Sequence, residues 1–412
     1  MQCTLNLKIW IQKQMLNNEN GNVNLEIEKL VKKNGSLLVI NLDYFKQNFN
    51  DLNNVITKYS GEISCVLKNN AYGIGIKDIA YFCNMLGNKI FFVATYFEGI
   101  KLQEILLNIG SDFKIYVLHG IFCDEMEILF KYDLIPVLNS YTQIEKWVNF
   151  ARKKNTKLKA IVNIETGLNR LGLDSNEIEK FYENKDLILK DLDIEYIMSH
   201  LACSDDVTSK HNEVQLVAFN KIRKMFPDFK FSLSASYGIY LGGDYVSDLA
   251  RIGVALYGGN PTPHLKNPMK NVVNLYSSII QIKTIKQGDC VGYGCLFVAE
   301  KDTKIGIVSV GYADGIIRSA SNKSFVYINN KKAKILGRIS MDLIAVDITN
   351  FDENEAGLNS LVEIIGENQD VNDLAKAAGS IHCEVLSNIS NRYPKIFIYN
   401  NVIYYDSILG KL

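Results

Sequence analysis

Short apolar runs alternate with longer amphipathic segments between residues 60 and 260. The runs are rich in strand-forming residues, whereas the longer segments repeat their apolar residues at helical spacing. Eight runs are predicted to be strands: Ile63–Leu67, Ile90–Thr95, Lys114–Leu118, Leu134–Leu138, Leu158–Ile164, Ile194–His200, Lys230–Ser234 and Arg251–Tyr257. The segments predicted to be helices include Ile76–Leu86, Phe97–Leu107, Tyr141–Lys153 and Ser209–Met225.

This alternation predicts an α/β fold built on a (β/α)8 TIM-type barrel. Strands that are apolar almost throughout, each followed by a helix, are typical of a parallel sheet covered on its outer face. Eight such units suit a closed barrel. An open doubly wound sheet is the alternative, but it favours a glycine-rich first turn, and no Gly-x-Gly-x-x-Gly follows the first strand.

After about Pro268 the pattern changes to short strands broken by turns. It predicts a barrel domain over residues 37–268 and a mostly-β domain over residues 269–412. The predicted elements of the second domain are strands at Val272–Lys283, Thr303–Val310, Lys323–Asn329, Lys334–Leu336, Leu343–Asp347 and Leu361–Ile365, and a helix at Val371–Ala378. Leu37–Leu42 is expected to join the sheet of this domain. Residues 1–36 form an extension that we expect to be a partly flexible arm, because residues 17–24 are asparagine-rich and polar.

Composition excludes several classes of partner. The 412 residues contain 45 Lys and Arg against 45 Asp and Glu, so no charge excess indicates nucleic acid or an anionic membrane. No apolar run approaches the length of a membrane span, and the first residues lack a signal-peptide pattern. The 8 cysteines are scattered without a Cys-x-x-Cys pair. We interpret them as reduced thiols, which predicts a soluble, cytoplasmic protein.

Lys68 is the most informative residue, because it stands where the first barrel strand ends. An α/β barrel places its chemistry at that end of the strands. A lysine that is partly desolvated there loses its proton readily and can form a Schiff base with an aldehyde. The alternative is an ordinary surface lysine that closes a strand.

Further polar residues fall at the ends of other barrel strands, namely Arg170, His200, Ser236 and Arg251, the last at the start of the eighth predicted strand. The backbone N–H groups of Gly253 and Val254, with the Ser236 hydroxyl, suit a phosphate. The forked guanidinium of Arg170 suits a carboxylate. Taken singly, each residue also has a structural explanation: His200 as a core histidine, or Arg251 as a partner for Asp248.

Seven strings, in order, resemble the fold-type III, pyridoxal-phosphate-dependent alanine racemases over roughly residues 37–398. They are Val66-Leu67-Lys68-Asn69-Asn70-Ala71-Tyr72-Gly73, Thr166-Gly167-Leu168-Asn169-Arg170-Leu171-Gly172, Ser199-His200-Leu201-Ala202, Arg251-Ile252-Gly253-Val254-Ala255-Leu256-Tyr257-Gly258, Val291-Gly292-Tyr293-Gly294, Gly311-Tyr312-Ala313-Asp314-Gly315 and Gly337-Arg338-Ile339-Ser340-Met341-Asp342. The resemblance implies pyridoxal 5'-phosphate as cofactor, an amino-acid substrate, a homodimer with shared active sites and D-alanine supply for peptidoglycan.

The resemblance also implies a role for each matching residue. Lys68 would hold the cofactor covalently, and its phosphate would lie among Tyr72, Ser236, Gly253 and Val254. Arg251 would face the ring nitrogen, Arg170 would bind the substrate carboxylate, and Met341 of the partner subunit would help through its backbone. Taken singly, Met341 could equally be a core residue, and Tyr293 could be an aromatic residue of a turn.

Racemisation needs two acid/base groups on opposite faces of Cα. The resemblance implies Lys68 for one face and Tyr293 of the partner subunit for the other. A free tyrosine titrates near pH ~10, so Tyr293 needs nearby positive charge, which we expect from a His200–Arg251 network. Arg251 would also keep the ring nitrogen unprotonated, which disfavours side reactions such as transamination.

Two positions depart from the family. Where the family usually has Ser-Tyr-Arg-x-Pro, this chain has Ser390-Asn391-Arg392-Tyr393-Pro394. We hypothesise that Asn391 leaves room for a side-chain hydroxyl, so that serine or a broader set of amino acids is also a substrate. Asn163 replaces a lysine that is carbamylated in many members. Arg170 would then be positioned by Asn163, by Glu165 or by a bound anion such as chloride.

The sequence leaves three alternative functions. A non-catalytic pyridoxal-phosphate carrier would not need the second domain, and a decarboxylase favours an acidic group, not Arg251, at the ring nitrogen. A sugar- or metal-dependent barrel enzyme without cofactor is the third, although no cysteine–histidine spacing suggests a metal site.

Overall fold

The barrel predicted from the sequence is present. The computed structural model describes residues 23–405, apart from residues 109, 111, 123, 124 and 390. Eight parallel strands follow one another: β2 (Glu62–Val66), β3 (Ile90–Val93), β4 (Lys114–Val117), β5 (Ile135–Leu138), β6 (Leu158–Asn163), β7 (Leu192–Met198), β8 (Phe231–Ser232) and β9 (Leu249–Ile252), after β1 (Ser36–Asn41) of the other domain. Their order, β8-β7-β6-β5-β4-β3-β2-β9, is closed by a bridge between Ala235 and Arg251.

The helices of the barrel domain cover the outer face of its strands. They are α2 (Leu42–Thr57), α3 (Ile76–Met85), α4 (Tyr96–Leu107), α5 (Met126–Lys131), α6 (Tyr141–Lys154), α7 (Ser175–Asp191) and α8 (Lys210–Met225), after α1 (Val23–Asn34). The four helices predicted above are confirmed to within one residue at each end, whereas α2 was not predicted. Inside the barrel Phe92 stacks on Tyr116 with ring centroids 4.8 Å apart, so the barrel is a filled core below its open end.

The eighth predicted strand, Arg251–Tyr257, is wrong at both ends. The strand is Leu249–Ile252, and Val254–Tyr257 forms a 3-10 turn. Arg251 therefore lies near the end of its strand, and Gly253 and Val254 stand in the loop that follows. The apolar composition of 254–257 suits a buried turn as well as a strand, because all four residues are buried.

The second domain is mostly β, as predicted. Its strands are β10 (Val273–Ile285), β11 (Cys290–Val291), β12 (Phe297–Val298), β13 (Thr303–Val308), β14 (Phe325–Ile328), β15 (Lys331–Leu336), β16 (Ile344–Asp347), β17 (Leu361–Ile365), β18 (Lys395–Tyr399) and β19 (Val402–Tyr405), with helices α9 (Val371–Ala378) and α10 (His382–Asn388) between β17 and β18. The sheet order is β13-β16-β15-β14-β17-β10-β1-β18-β19, and β13 also pairs with β10. The expectation that the strand near residue 37 joins this sheet is confirmed, since β1 lies between β10 and β18.

The N-terminal segment differs from its prediction. Residues 23–34 form α1, which buries Ile27, Leu30 and Val31 against β1, Ile396 and Ile403. This part of the extension is therefore a packed helix and not a disordered arm, while residues 1–22 lie outside the described residues. Within the described residues, no helix combines the length and apolar character that crossing a membrane requires.

The interpretation of all cysteines as free thiols is also wrong. Cys290 and Cys295 form a disulfide in the hairpin of β11 and β12. Cys65, Cys83 and Cys203 are free, as is Cys383.

Candidate active site

An unusual turn follows β2 and carries Lys68 into the open end of the barrel. Asn69, Asn70, Ala71 and Tyr72 have φ angles of 52°, 53°, 55° and 56°, so four consecutive non-glycine residues are left-handed. Each such residue costs roughly 1–2 kcal/mol. Strain of this kind persists only where the surrounding contacts determine the backbone, and it is concentrated at functional sites.

Two contacts hold this turn in place. The N–H of Asn69 donates to the Glu98 carboxylate at 2.5 Å, and the buried Lys395 ammonium donates to the carbonyls of Gly73 and Ile74, each at 3.2 Å. Lys395 belongs to β18, so the C-terminal domain supports the turn that presents Lys68.

The strand ends surround a cavity of about 380 Å³. It brings together nine of the residues singled out from the sequence: Lys68, Tyr72, Asn163, Arg170, His200, Ser236, Arg251, Gly253 and Val254. The expectation that polar residues from separate barrel strands converge is therefore confirmed. The cavity is also lined by His119, Asn139, Glu165, Tyr237 and Cys383.

One wall of the cavity forms a cradle with backbone donors. The Ser236 hydroxyl accepts from the N–H of Gly253 at 3.2 Å and of Ala255 at 3.5 Å. A Cβ added at Gly253 would collide with the Tyr72 hydroxyl, so only glycine lets these groups approach so closely. Two hydroxyls and the backbone donors thus face one small space, which suits a phosphate group.

Arg251 is held rigidly beneath the cavity. Its Nη1 donates to the Ser232 carbonyl at 3.0 Å, and its Nη2 donates to the carbonyls of Ser199 at 2.6 Å and Leu233 at 3.1 Å. Nη2 also lies 3.2 Å from Nδ1 of His200. None of these bonds uses the Nε hydrogen. Asp248 is not the partner of Arg251 in these bonds, because its carboxylate accepts from the N–H of Phe231.

Burial and positive charge lower the pKa values of the basic groups here. Desolvation, and then repulsion from Arg170, lower the pKa of the Lys68 ammonium. Desolvation and then Arg251, Arg170 and Lys68 lower the pKa of His200 to about 3. Desolvation, followed by Arg170, lowers the pKa of Arg251 to about 10, so it stays charged at neutral pH.

The loop that carries Arg170 is organised by a carboxylate. Glu165 accepts from the N–H groups of Leu168 at 2.7 Å and Arg170 at 3.3 Å, and also from that of Gly167. Desolvation opposes the ionisation of Glu165, but these backbone donors outweigh it and lower its pKa. Glu165 therefore shapes the backbone around Arg170.

Asn163 acts on the same loop through its amide. Its Nδ2 donates to Oδ1 of Asn139 at 2.8 Å and to the carbonyl of Leu171 at 3.1 Å. Both amide hydrogens are thereby used, one of them on the residue after Arg170. Glu165 therefore bonds to the backbone N–H of Arg170, whereas Asn163 bonds to the carbonyl of the next residue, Leu171. The bound-anion alternative stays a hypothesis.

Tyr293 and Met341 do not line the cavity of their own chain. Both lie on the C-terminal domain, where 71% of Tyr293 and 53% of Met341 are exposed. Leu296, Tyr312 and Leu343 are also exposed apolar residues of this domain.

Asn391 does not line the cavity either. It is exposed, and its Oδ1 accepts from the Lys395 ammonium at 3.2 Å. This contact connects Asn391 to the support of the Lys68 turn. The proposed link between Asn391 and substrate choice stays a prediction.

Sequence reasoning missed several residues that line the cavity. The Tyr237 hydroxyl forms a hydrogen bond with Nε2 of His382 at 2.8 Å, and this bond joins the Ser236 loop to α10. Cys383, the next residue of α10, lines the cavity as a free thiol, and burial raises its pKa to about 11. Tyr237 adjoins Ser236 in sequence and was accessible to prediction, whereas α10 was not predicted at all.

Two family models match the two domains of this chain. The family model "Alanine racemase, N-terminal domain" matches residues 40–261, and "Alanine racemase, C-terminal domain" matches residues 272–397. This chain belongs to the alanine racemase family. An alanine racemase from Rickettsia rickettsii is 40% identical over 359 residues, which cover 87% of this chain and 98% of that protein. One from Rickettsia bellii is 41% identical over 336 residues, 81% of each chain.

A solved alanine racemase from Bartonella henselae, with covalently bound pyridoxal phosphate, superimposes with a TM-score of 0.84 at 35% identity. The matched region covers 88% of this chain and 99% of that one. One from Acinetobacter baumannii gives a TM-score of 0.78 at 29% identity and covers 89% of this chain and 100% of that one. The resemblance of the seven sequence strings to alanine racemases is thus confirmed.

The residues present fit pyridoxal phosphate, the cofactor of alanine racemases. The hydroxyls of Ser236 and Tyr72 lie together beside the backbone N–H groups of Gly253 and Ala255, a set of groups that suits a phosphate. The lowered pKa of Lys68 favours the neutral amine that reacts with an aldehyde. Arg251 is fixed by its two Nη groups. Its unused Nε hydrogen suits a ring nitrogen that accepts a hydrogen bond.

Proposed function

We propose that this chain is a pyridoxal-phosphate-dependent racemase that interconverts L- and D-alanine, and that it works as a homodimer. The observation that carries the proposal is the division of the predicted site between two surfaces. The cavity gathers Lys68 and the predicted cofactor-binding residues, whereas Tyr293 and Met341 lie exposed on the other domain. A second copy that docks this surface over the cavity would complete the site.

Within that site, Lys68 holds the cofactor and exchanges a proton with one face of Cα. Tyr293 of the partner subunit exchanges a proton with the opposite face. Bound pyridoxal phosphate supplies an electron-withdrawing ring that stabilises negative charge at Cα. Two bases on opposite faces are needed because one base would return the proton to the side from which it came.

Charged residues orient the substrate and adjust its reactivity. Arg170 binds the substrate carboxylate through its guanidinium, and backbone groups around Met341 of the partner subunit assist it. Arg251 would face the ring nitrogen, and it keeps its own proton at neutral pH because burial lowers its pKa only to about 10. With Arg251 at that position the bound cofactor would be a moderate electron sink, which would favour proton return to Cα over transamination.

The homodimer is supported by the character of the surface around Tyr293. Tyr293, Leu296, Met341 and Leu343 are large apolar residues that are 39–71% exposed in one chain. Exposed apolar residues on one domain are typical of an interface that a partner covers. A non-catalytic cofactor carrier would have no use for this domain, and Arg251 disfavours a decarboxylase.

A circular-dichroism time course with single enantiomers of alanine tests the proposal. We expect the signal of either enantiomer to decay to zero with the wild type. Lys68→Ala and Tyr293→Phe should slow this decay by about a hundredfold or more, because each removes one acid/base group. Tyr182→Phe is a matched control, since Tyr182 packs against Phe226 on the barrel's outer helices. Undiminished racemisation by Tyr293→Phe would contradict the two-base proposal.

A further inference from the structure

The turn that carries Tyr293 is closed by a covalent bond. Cys290 and Cys295 form a disulfide, with Cα atoms 5.0 Å apart, and Tyr293 lies inside the ring of six residues that it closes. The two cysteines differ by 5 in residue number, so the bond spans little more than the turn itself. No other disulfide is found in the described residues.

Without this bond, few backbone contacts would hold the turn. The hairpin of β11 and β12 has two residue pairs, Cys290 with Val298 and Val291 with Phe297, and at its base the N–H of Ala299 donates to the carbonyl of Asp289 at 2.8 Å. Both neighbours of Tyr293 are left-handed glycines, Gly292 with φ of 71° and Gly294 with φ of 69°. Glycine restricts the backbone less than any other residue, so the tyrosine lies between two flexible positions.

One face of the turn packs against Arg338. A Cβ on Gly294 would lie 3.2 Å from Nε of Arg338, and a Cβ on Gly292 would lie 3.4 Å from the Arg338 carbonyl. The turn therefore packs closely on one residue, and its other face is open, as the 71% exposure of Tyr293 shows. The disulfide therefore adds a covalent constraint to the backbone that carries the phenol.

We propose that Cys290 and Cys295 are positioning residues, whose disulfide holds Tyr293 at the distance that proton exchange with Cα requires. This inference rests on the proposed function, because it assumes that Tyr293 is an acid/base group. Rigid placement matters because a displacement of about 1 Å can cost a hundredfold in rate. Reduction of the bond would keep Tyr293 in the sequence and in the hairpin but would let the backbone of the turn move.

The bond forms by thiol–disulfide exchange with an oxidised dithiol. One cysteine thiolate attacks the sulfur–sulfur bond of that reagent, and the second thiolate displaces it, so that the Cys290–Cys295 bond forms. The reagent takes up two electrons and two protons and leaves as a dithiol. A small dithiol such as dithiothreitol, in its oxidised and reduced forms, provides both directions of the exchange.

The experiment compares oxidised and reduced holoenzyme with the variant Cys290→Ser/Cys295→Ser. Alkylation and peptide mass spectrometry measure the bond, which removes about 2 Da from the peptide pair when it forms. Steady-state rates are measured in both directions, with ordinary and Cα-deuterated alanine. Cys203→Ser is the control, because Cys203 is a free thiol that does not line the cavity.

We expect reduction and the double variant to lower kcat/KM by about tenfold or more, equally in both directions, since the enantiomers have equal free energy. The substrate isotope effect should rise only for the enantiomer that Tyr293 deprotonates, because only that step becomes slower. Lys68 deprotonates the other enantiomer. Cys203→Ser should show neither change.

Three results would overturn the inference: free thiols at both positions after oxidation, rates within twofold between oxidised and reduced enzyme, or a loss of activity with unchanged isotope effects. The last would indicate a general structural role. Tyr293→Phe separates this inference from the proposed function. If that variant is inactive while the double variant is fully active, only the positioning role fails.

Discussion

Nη2 of Arg251 donates to Nδ1 of His200 across 3.2 Å. Because arginine has no acceptor, Nδ1 must accept, and the proton of the neutral imidazole lies on Nε2. The pKa of His200 is lowered to about 3, so the ring is neutral at physiological pH. Of the His200–Arg251 network, His200 is therefore neutral and Arg251 carries the positive charge, while the effect of that charge on Tyr293 of the partner subunit stays a prediction.

The neutral His200 predicts a pH dependence of stability. Its pKa is about 6.5 in the unfolded chain and about 3 in the folded chain. Between these values the unfolded chain binds a proton that the folded chain does not, so stability falls as the pH falls. We expect His200→Gln to reduce this loss by roughly 1.4 kcal/mol per pH unit between pH 6 and pH 4.

Urea unfolding of wild type and His200→Gln at matched protein and cofactor concentrations measures this difference. Other groups, such as His382, titrate in both proteins and cancel in the comparison. Parallel pH curves for the two proteins would show that His200 is not buried in its neutral form.

Arg251→Lys should keep the charge and lose the activity. A lysine cannot reproduce the planar fork that donates to Ser232, Ser199 and Leu233. We expect kcat to fall by about a hundredfold or more and the ratio of pyruvate release to racemisation to rise. Coupled assays for pyruvate and for D-alanine measure both reactions.

Arg223→Lys is the matched control for that substitution. Arg223 donates to the Ser247 hydroxyl at 2.8 Å and lies over the ring of Phe219, away from the cavity. We expect its racemase activity to remain within about twofold of wild type. Equal activity of Arg251→Lys and Arg223→Lys would contradict the requirement for an arginine at position 251.

Gly253→Ala should weaken cofactor binding. The added Cβ would collide with the Tyr72 hydroxyl, which displaces one wall of the phosphate cradle. We expect the Kd for pyridoxal phosphate, measured by absorbance titration of the apoprotein, to rise by about tenfold or more. Gly306→Ala is a control far from the cradle, because its Cβ would meet only side-chain atoms of Ile279, at 3.3 Å, and Val346, at 3.5 Å. An unchanged Kd for Gly253→Ala would contradict the cradle.

Asn391 gives a prediction about substrate choice. If Asn391, in place of the family's tyrosine, leaves room for a hydroxyl, kcat/KM for L-serine should approach kcat/KM for L-alanine. Asn391→Tyr should then lower kcat/KM for L-serine relative to that for L-alanine. The rates are measured with both substrates for both proteins. A serine value about a thousand times lower than the alanine value in wild type would remove the idea.

Much of the fold follows from local pattern. Each parallel strand is a short apolar run, and each covering helix repeats its apolar residues at a period near 3.6, so seven barrel strands were placed within a few residues. The eighth strand was misplaced because Val254–Tyr257, a buried turn, has the same apolar composition as a strand. Helix α1 was missed because its burial depends on β18 and β19, which are distant in sequence.

The candidate site was predictable where a motif stands at a strand end. Lys68, Arg170 and Arg251 each follow or end a barrel strand, and the topology brings them to one cavity. The Lys395 support and the Cys290–Cys295 bond were not predictable, because they depend on how a loop meets a distant strand and on the geometry of a short hairpin. Four residues between two cysteines do not by themselves indicate a disulfide.

The central claim, that one site uses Lys68 of one subunit and Tyr293 of the other, is tested most directly by mixing two inactive variants. In a symmetric dimer of Lys68→Ala with Tyr293→Phe, one site holds both substitutions and the other holds neither. Random co-assembly should therefore restore about one quarter of wild-type racemase activity per subunit. Persistent inactivity of a mixture shown to contain the hybrid dimer would contradict the account.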